Sequence, residues 1–382
     1  MRNALRTIRS LRRPGDALYW RIDCHGDYRL RDFLRVGARS ERELLLFLKR
    51  TFLPWIPLPL PHVPEFGCST FAARTPDGRA LLGRNFDLNR FSPPLTVRTA
   101  PADGYASVST TSPLFLGYSE RRLPGRGLLR SLPLLAAPYV PVDGVNERGL
   151  AVAVLLVPCE RPVHQETGRV PVTTTTAVRL LLDRAATVGE ALALLGRFDM
   201  HHAIGSAFHF HLADASGASA VVEWGPDGAA RTLRPAAGEP QCCTNFRLDR
   251  RPAEPSARLG TDRYDRMRDA LAAAGGRIAS TAAAMDLLAA VAHPPGGPAP
   301  ADVTAGTRWS AVFDLSEPAV LLCAGCDYAR SWLIPVARDL HAEVAEATIH
   351  AESAKETHAE GAENAEPFSH AEGAENAEEK AQ

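Results

Sequence analysis

Two short runs mixing apolar and polar residues flank Asp77-Gly78 and read as strands joined by a turn. Cys68 to Arg74 reads as one arm of a hairpin and Ala80 to Phe86 as the other, because Asp-Gly between two such runs favours a tight turn. Centring the turn on that dipeptide makes the numbers of paired residues sum to 155, which sets Cys68 opposite Asp87. AFHFHLADASGASAVVEW repeats the pattern around Asp214–Gly217, and Trp309 to Phe313 with Ala319 to Cys323 forms a last hairpin. Val142 to Gly149 reads as a turn entering an apolar strand, Leu150 to Val157, in which Asn146 shapes the backbone. Thr244-Asn245-Phe246 ends a further strand.

Helical periodicity appears in separate blocks. Ser40 is a suitable N-cap for a helix from Glu41 to about Phe52, with Leu44, Leu45, Phe47 and Leu48 on its apolar face. Thr173 to Leu182, Val188 to Phe198, Asp262 to Ala273 and Ser280 to Ala292 are helical. Antiparallel hairpins with segregated helices predict an α+β fold, not a doubly wound sheet.

The pattern fails in two places. TFLPWIPLPLPHVPEF, just before Gly67, holds too many prolines for a helix or a central strand. After Leu340 the chain becomes rich in Ala and Glu, and HAEGAENAE occurs at both 358–366 and 370–378. Such a segment buries too little apolar surface to offset its ordering entropy, so disorder is expected there. The divisions are therefore 1–67 as an N-terminal segment, 68–338 as the main domain and 339–382 as an acidic tail. Of the 382 residues 45% are apolar, enough for one large core. Net charge is −1, so nothing overall points to nucleic acid. Residues 1–50 carry thirteen Lys/Arg against six Asp/Glu, which reads as a solvated or lipid-facing surface. Seven cysteines without framework spacing argue against a disulfide scaffold and for a reducing compartment. The N-terminus lacks the apolar core of a signal peptide, and no 18-residue apolar run suggests a membrane span, so a cytoplasmic location is expected.

The candidate chemistry sits where the proline run meets the first hairpin. Cutting between Gly67 and Cys68 would give Cys68 a thiol and a free α-amine on one residue. Such an amine titrates near 7.7–8.0 and suits general-base work on its own side chain. Gly67 offers the thiol an unhindered carbonyl. C-S-T-F followed by G-R-N-F-D resembles the choloylglycine hydrolase family of N-terminal nucleophile hydrolases, over roughly residues 68–325.

That resemblance implies a four-layer αββα sandwich and a set of roles. Cys68 becomes nucleophile and base, and the residues sixteen and nineteen further on become Arg84 and Asp87. Asn245, in C-C-T-N-F, matches the oxyanion asparagine, and Arg263 matches a second site arginine, with Arg251 and Arg258 as competitors. The other oxyanion donor falls near Leu156, which has no side-chain donor. Arg84 and Asp87 are an odd number of residues apart, so an ideal strand points them to opposite faces. Both reaching one site requires a bulge or bend between Gly83 and Phe86. Cys323-Ala324-Gly325-Cys326 is half a zinc motif without its second half. His209 and His211 share a strand face with no third metal ligand in view.

The expected activity is a self-cleaving cysteine amidase acting on a linear amide of an acyl-amide substrate through a thioester, without metal or cofactor. Residues 1–67 would then be a pro-segment covering the site. An acyltransferase, passing the acyl group to an amine, is the near alternative. An uncleaved protein that binds acyl amides or works through its CxxC pair is the distant one. Assembly as a homo-oligomer is left open.

Overall fold

In the computed structural model of the chain, the Asp77-Gly78 hairpin is the middle of a sheet. The structure describes residues 2–14, 18–52, 66–125, 127–158, 160–294, 306–340 and 348–350. In chain order the strands are β1 (Trp20–Cys24), β2 (Phe66–Arg74), β3 (Ala80–Leu88), β4 (Leu95–Thr99), β5 (Ser107–Thr111) and β6 (Asp143–Asn146). Then come β7 (Ala151–Val157), β8 (Val170–Thr173), β9 (Phe198–His201), β10 (Ala207–Ala213), β11 (Ser219–Trp224) and β12 (Ala230–Leu233). The last are β13 (Gln241–Cys243), β14 (Gly306–Asp314), β15 (Ala319–Ala324), β16 (Arg330–Pro335) and β17 (Thr348–His350). The helices are α1 (Arg2–Arg9), α2 (Leu30–Val36), α3 (Glu41–Phe52), α4 (Leu128–Ser131), α5 (Thr174–Arg184), α6 (Val188–Leu195), α7 (Thr261–Ala273) and α8 (Thr281–Ala290).

One sheet has eight strands, in the order β1-β4-β5-β6-β7-β10-β11-β12; the other has seven, β13-β2-β3-β14-β15-β16-β17. The two stack face to face, with α5 and α6 against the outside of the first and α7 and α8 against the outside of the second. This is the α+β, four-layer αββα sandwich expected. Phe71, Ala73 and Leu81 of the hairpin's outer face pack with Met267 and Leu271 of α7 and Leu287 and Leu288 of α8. The inner layer joins both sheets in one large apolar cluster.

Residues before the proline run are woven into the first sheet. β1 pairs in parallel with β4, from Trp20 beside Leu95 to Cys24 beside Thr99. Tyr19, Ile22, Phe33, Leu44 and Leu48 are buried in the common core. The Tyr28 hydroxyl bonds the Asp183 carboxylate on α5, and Asp23 lies within ion-pair distance of Arg21 and Arg98, all three buried. The proline run falls outside the described residues from 53 to 65, as does the tail except 339–340 and 348–350, where β17 pairs with β16. Among the described residues no helix is long and apolar enough to cross a membrane.

The hairpin register differs from the expected one. Paired residues sum to 154: Gly67 lies opposite Asp87, Cys68 opposite Phe86, and Thr70 opposite Arg84. The cause is the loop. Thr75 N–H bonds the Arg79 carbonyl and Gly78 N–H bonds the Thr75 carbonyl, leaving three residues, Pro76 to Gly78, at the tip. Proline suits the first corner of such a turn, and Gly78, at φ 92°, takes the left-handed position that closes a three-residue loop. One residue of slip moves every side chain of one arm to the other face.

Candidate active site

The start of β2 gathers the residues of interest from both faces of the second sheet. Cys68 points inward. Its Sγ is fully buried and lies 3.6 Å from the Val154 carbonyl of β7. Arg84 shares that inner face and donates from Nη2 to Sγ at 3.2 Å. The guanidinium is held from two further sides, by the Val142 carbonyl at 2.8 Å from Nη1 and by Asp143 at 3.1 Å from Nε. It also lies over the ring of Phe86, which stacks on Trp309 with centroids 4.0 Å apart. Such a stack contributes about 0.5–1.5 kcal/mol beyond its buried area. Burial pushes the Cys68 thiol up to about 11, against the pull of Arg84, so in the uncut chain the thiol keeps its proton.

Asp87 points outward. Its carboxylate pairs with Arg263 of α7 and accepts the Thr307 hydroxyl at 2.6 Å. Arg263 also donates to the Ser69 hydroxyl at 2.8 Å. Burial by itself would raise the Asp87 carboxyl; Arg263 and Thr307 outweigh it and hold the group below its ordinary value. No bulge in β3 brings Arg84 and Asp87 together, since β2 and β3 pair without interruption. The expected bend is absent because the two residues serve different atoms. Arg84 meets the sulfur from the inner face, and Asp87 flanks Gly67 from the outer one. The irregularity lies instead in β14, between Thr307 and Trp309.

Asn245 follows β13 and reaches the same point. Its Oδ1 accepts the Cys68 N–H at 2.9 Å, and its Nδ2 donates to the Leu156 carbonyl at 2.7 Å. A primary amide has two donor hydrogens, so one remains after Leu156. Leu156 thus enters as a carbonyl that orients Asn245. A side chain on Gly67 would start 3.1 Å from Asp87 Oδ2 and 3.4 Å from Asn245 Oδ1. We expect Gly67→Val to cut at least 10-fold more slowly than wild type in a time course read by gel and intact mass, because its branched carbons crowd both groups.

All the residues singled out (Gly67, Cys68, Arg84, Asp87, Asn245 and Arg263) therefore meet in one cluster. Arg251 does not: it pairs with Asp265 at 2.6 Å on an exposed face. Sequence reasoning missed Asp143, Ser69, Thr307 and Trp309. Asp143 stands within the VDGVNERGL turn, where the signal was one of backbone shape; Ser69 stands inside C-S-T-F without a role assigned, and Thr307 and Trp309 stand in no motif. Asn146 holds that turn, donating to the Leu182 and Ala185 carbonyls and accepting Arg148 and Leu150 N–H. Cys323 and Cys326 lie at a strand end as free thiols. His209 and His211 do share an inward face, each bonded to protein groups. Among the described residues no group of three or more His, Cys, Asp or Glu could hold a metal ion.

An apolar cavity of about 90 Å³ adjoins the cluster. Val154 and Val142, whose carbonyls touch Sγ and Arg84, turn to it, and Phe115, whose ring meets Phe86 edge-on, walls it. The opposite wall is α3, through Leu44, Leu45 and Leu48.

Two stacked sheets between helical layers, with these side chains at the mouth of the sandwich, define the class as an N-terminal nucleophile hydrolase fold, used for amide hydrolysis and acyl transfer. The profile of the acyl-coenzyme A:6-aminopenicillanic acid acyl-transferase family matches residues 73–325, and the chain belongs to that family. The matched range includes Arg84, Asp87, Asn245 and Arg263 and begins five residues after Cys68. Two structures of conjugated bile acid hydrolase variants from Clostridium perfringens share the fold, each at 16% identity over 74% of this chain. Their TM-scores are 0.50 and 0.52, with 96% and 97% of those chains covered. Penicillin V acylase from Agrobacterium tumefaciens aligns at 20% identity, over 67% of this chain and 83% of its own, with a TM-score of 0.47. No curated protein matches the chain.

Proposed function

We propose that the chain cuts itself between Gly67 and Cys68 and then works as a cysteine amidase on linear acyl amides. One observation carries this reading: both reactive atoms of Cys68 are already held by separate side chains, the sulfur by Arg84 and the nitrogen by Asn245. Nothing else in the cluster requires a sulfur and its own backbone nitrogen to be gripped independently.

In the cut, Sγ attacks the Gly67 carbonyl, the acyl group moves from nitrogen to sulfur, and water releases the Gly67 carboxylate. The freed amine inherits the place of the Cys68 N–H beside Asn245 and takes the thiol proton. The thiolate then attacks the substrate carbonyl. The second Nδ2 hydrogen of Asn245 meets the oxyanion, a contribution worth 10²–10³-fold in comparable sites. The amine returns its proton to the leaving nitrogen, and water cleaves the thioester to release the acid. Because β1 is the edge strand of the first sheet and Tyr19, Ile22, Phe33, Leu44 and Leu48 are buried in the common core, residues before Gly67 remain bound after the cut, and native mass measurement should show both fragments together.

The apolar cavity, walled in part by Val154 whose carbonyl meets Sγ, supports an apolar acyl group. It is smaller than the ~150 Å³ cavity that takes a benzene ring, so it accommodates the first carbons of a chain rather than a steroid. Leu48→Trp, which fills it, should lower kcat/KM for the longest acyl chain accepted by about 10–100-fold and favour shorter ones. A panel of acyl amides (bile conjugates, penicillin V, N-acylethanolamines, ceramide and acyl-homoserine lactones) tests the reading. The family match favours a second outcome, acyl transfer to an amine, which product partition with and without added amine separates from hydrolysis. An unbroken chain by intact mass, inert to the panel, would favour the non-catalytic alternative.

A further inference from the structure

Two buried side chains that this chemistry does not use lie beneath Asn245. His209 of β10 and Glu223 of β11 are 0% and 1% exposed, with Nδ1 3.2 Å from Oε1. The other ring nitrogen, Nε2, lies 2.7 Å from the Thr244 carbonyl. A carbonyl only accepts, so Nε2 carries hydrogen. Glu223 Oε1 also accepts the Leu248 N–H at 2.7 Å, and its Oε2 faces Arg247 Nη2 at 3.6 Å. Oε1 thus meets both the Leu248 N–H and Nδ1, which joins the ring to the bend through one oxygen.

Other groups facing the pair do not replace it. The Cys243 thiol of β13 lies 3.4 Å from Nε2 and is pushed well above its ordinary value by burial. His211, on the same strand, is spoken for by Thr70 at 2.7 Å and Ser219 at 3.0 Å, and burial and the charge of His209 drive it down to about 3. His202 is driven down to about 3 mainly by burial. Arg247 is shared with Asp249. His209 is thus held by Glu223 on one side and bonds the Thr244 carbonyl on the other.

What the pair holds is the bend that carries Asn245. Residues 244–248 have no regular secondary structure. His209 fixes their first carbonyl, and Glu223 fixes their last N–H. Arg247 Nη1 donates to the Trp224 carbonyl at 2.6 Å, tying the bend again to the end of β11. The bend leaves one sheet and is pinned at both ends to the other. Displacing a catalytic amide by about 1 Å costs on the order of 10²-fold, so the bend needs such anchoring.

We infer that His209 and Glu223 are the positioning pair for Asn245, acting on turnover through the bend and touching no substrate. The inference rests on the proposed role of Asn245; the anchoring of the bend does not. A double-mutant cycle tests the first part. His209→Gln should lower kcat about 10–100-fold at nearly unchanged KM, yet by no more than about twofold when Asn245 is already Ala. Glu223→Gln keeps an oxygen at the Oε1 position, so the Leu248 N–H and Nδ1 still meet one acceptor. It should keep kcat within about threefold of wild type near pH 7, whereas Glu223→Ala should fall as far as His209→Gln. Equal losses in both Asn245 backgrounds would overturn the inference. If His209→Gln does not fold, Glu223→Ala against Glu223→Gln completes the same cycle. Hydrogen exchange in the full chain reads the anchoring without any turnover. His209→Gln or Glu223→Ala should speed exchange at 244–248 at least 10-fold with β7 unchanged, and unchanged exchange there would overturn the anchoring itself. A protein inert to every substrate but altered in exchange would sink the amidase reading and leave the anchoring intact.

Discussion

Cys68→Ala is expected to leave the chain in one piece and without amidase activity. The substitution removes the atom that attacks Gly67 and the atom that would carry the acyl group, while the 0% exposed site tolerates the smaller side chain. Loss of a nucleophile that acts with its base as a unit lowers turnover by about 10⁴-fold or more. Intact mass of wild type should show a break after Gly67, and the variant should show none. Cys68→Ser should cut slowly or not at all, because the hydroxyl is the poorer nucleophile. A Cys68→Ala chain that still broke at this bond would remove self-processing from consideration, whatever activity remained. The cavity left by the sulfur is small, so unchanged thermal stability separates this result from misfolding.

Arg263→Leu is the second large effect. It strands the Asp87 carboxylate, 1% exposed, without its cation, and removing one partner of a buried ion pair costs about 3–5 kcal/mol. Asp87→Asn strands Arg263 with a comparable loss. The double variant should regain much of the stability and none of the activity, since it restores neutrality without restoring the charge beside Gly67. The pH dependence has a definite sign. Asp87 is held below its ordinary value in the folded chain, so the stabilisation is complete above the unfolded value of about 3.9 and is lost as pH falls through the folded one. Denaturant midpoints should therefore separate wild type from Arg263→Leu widely at pH 7, and the gap should narrow on going below about pH 4. A gap that is constant with pH would mean that the pair is not an ion pair in solution.

Much of the sandwich was legible because turn residues mark its hairpins and its helices stand apart. The arms of the hairpins at 77, 214 and 316 all form. The helix behind Ser40 spans Glu41–Phe52, with the Ser40 hydroxyl accepting the Glu43 N–H. Short strands such as β1, β4 and β5 were not legible. They are rich in Thr, Ser and Arg, and their polar side chains are buried by pairing with one another, as Thr99 with Ser107 and Asp23 with Arg98, which no single-strand pattern records.

Residue types and spacing determined the α+β class and the cut position to be tested, and the resemblance to the choloylglycine hydrolase family named the side chains to look for. Asp-Gly specified that the chain turns, but whether two or three residues make the tip depends on the local dihedral choice around Pro76 and Gly78, and one residue there exchanges the faces of a whole arm. Only the assembled sandwich decided that Arg84 meets the sulfur from inside while Asp87 waits outside with Arg263. It alone brought β10 and β11 under Asn245. Such partners come from strands over a hundred residues away in some cases, and burial, which selects among them, is a property of the packed layers and not of any stretch of chain.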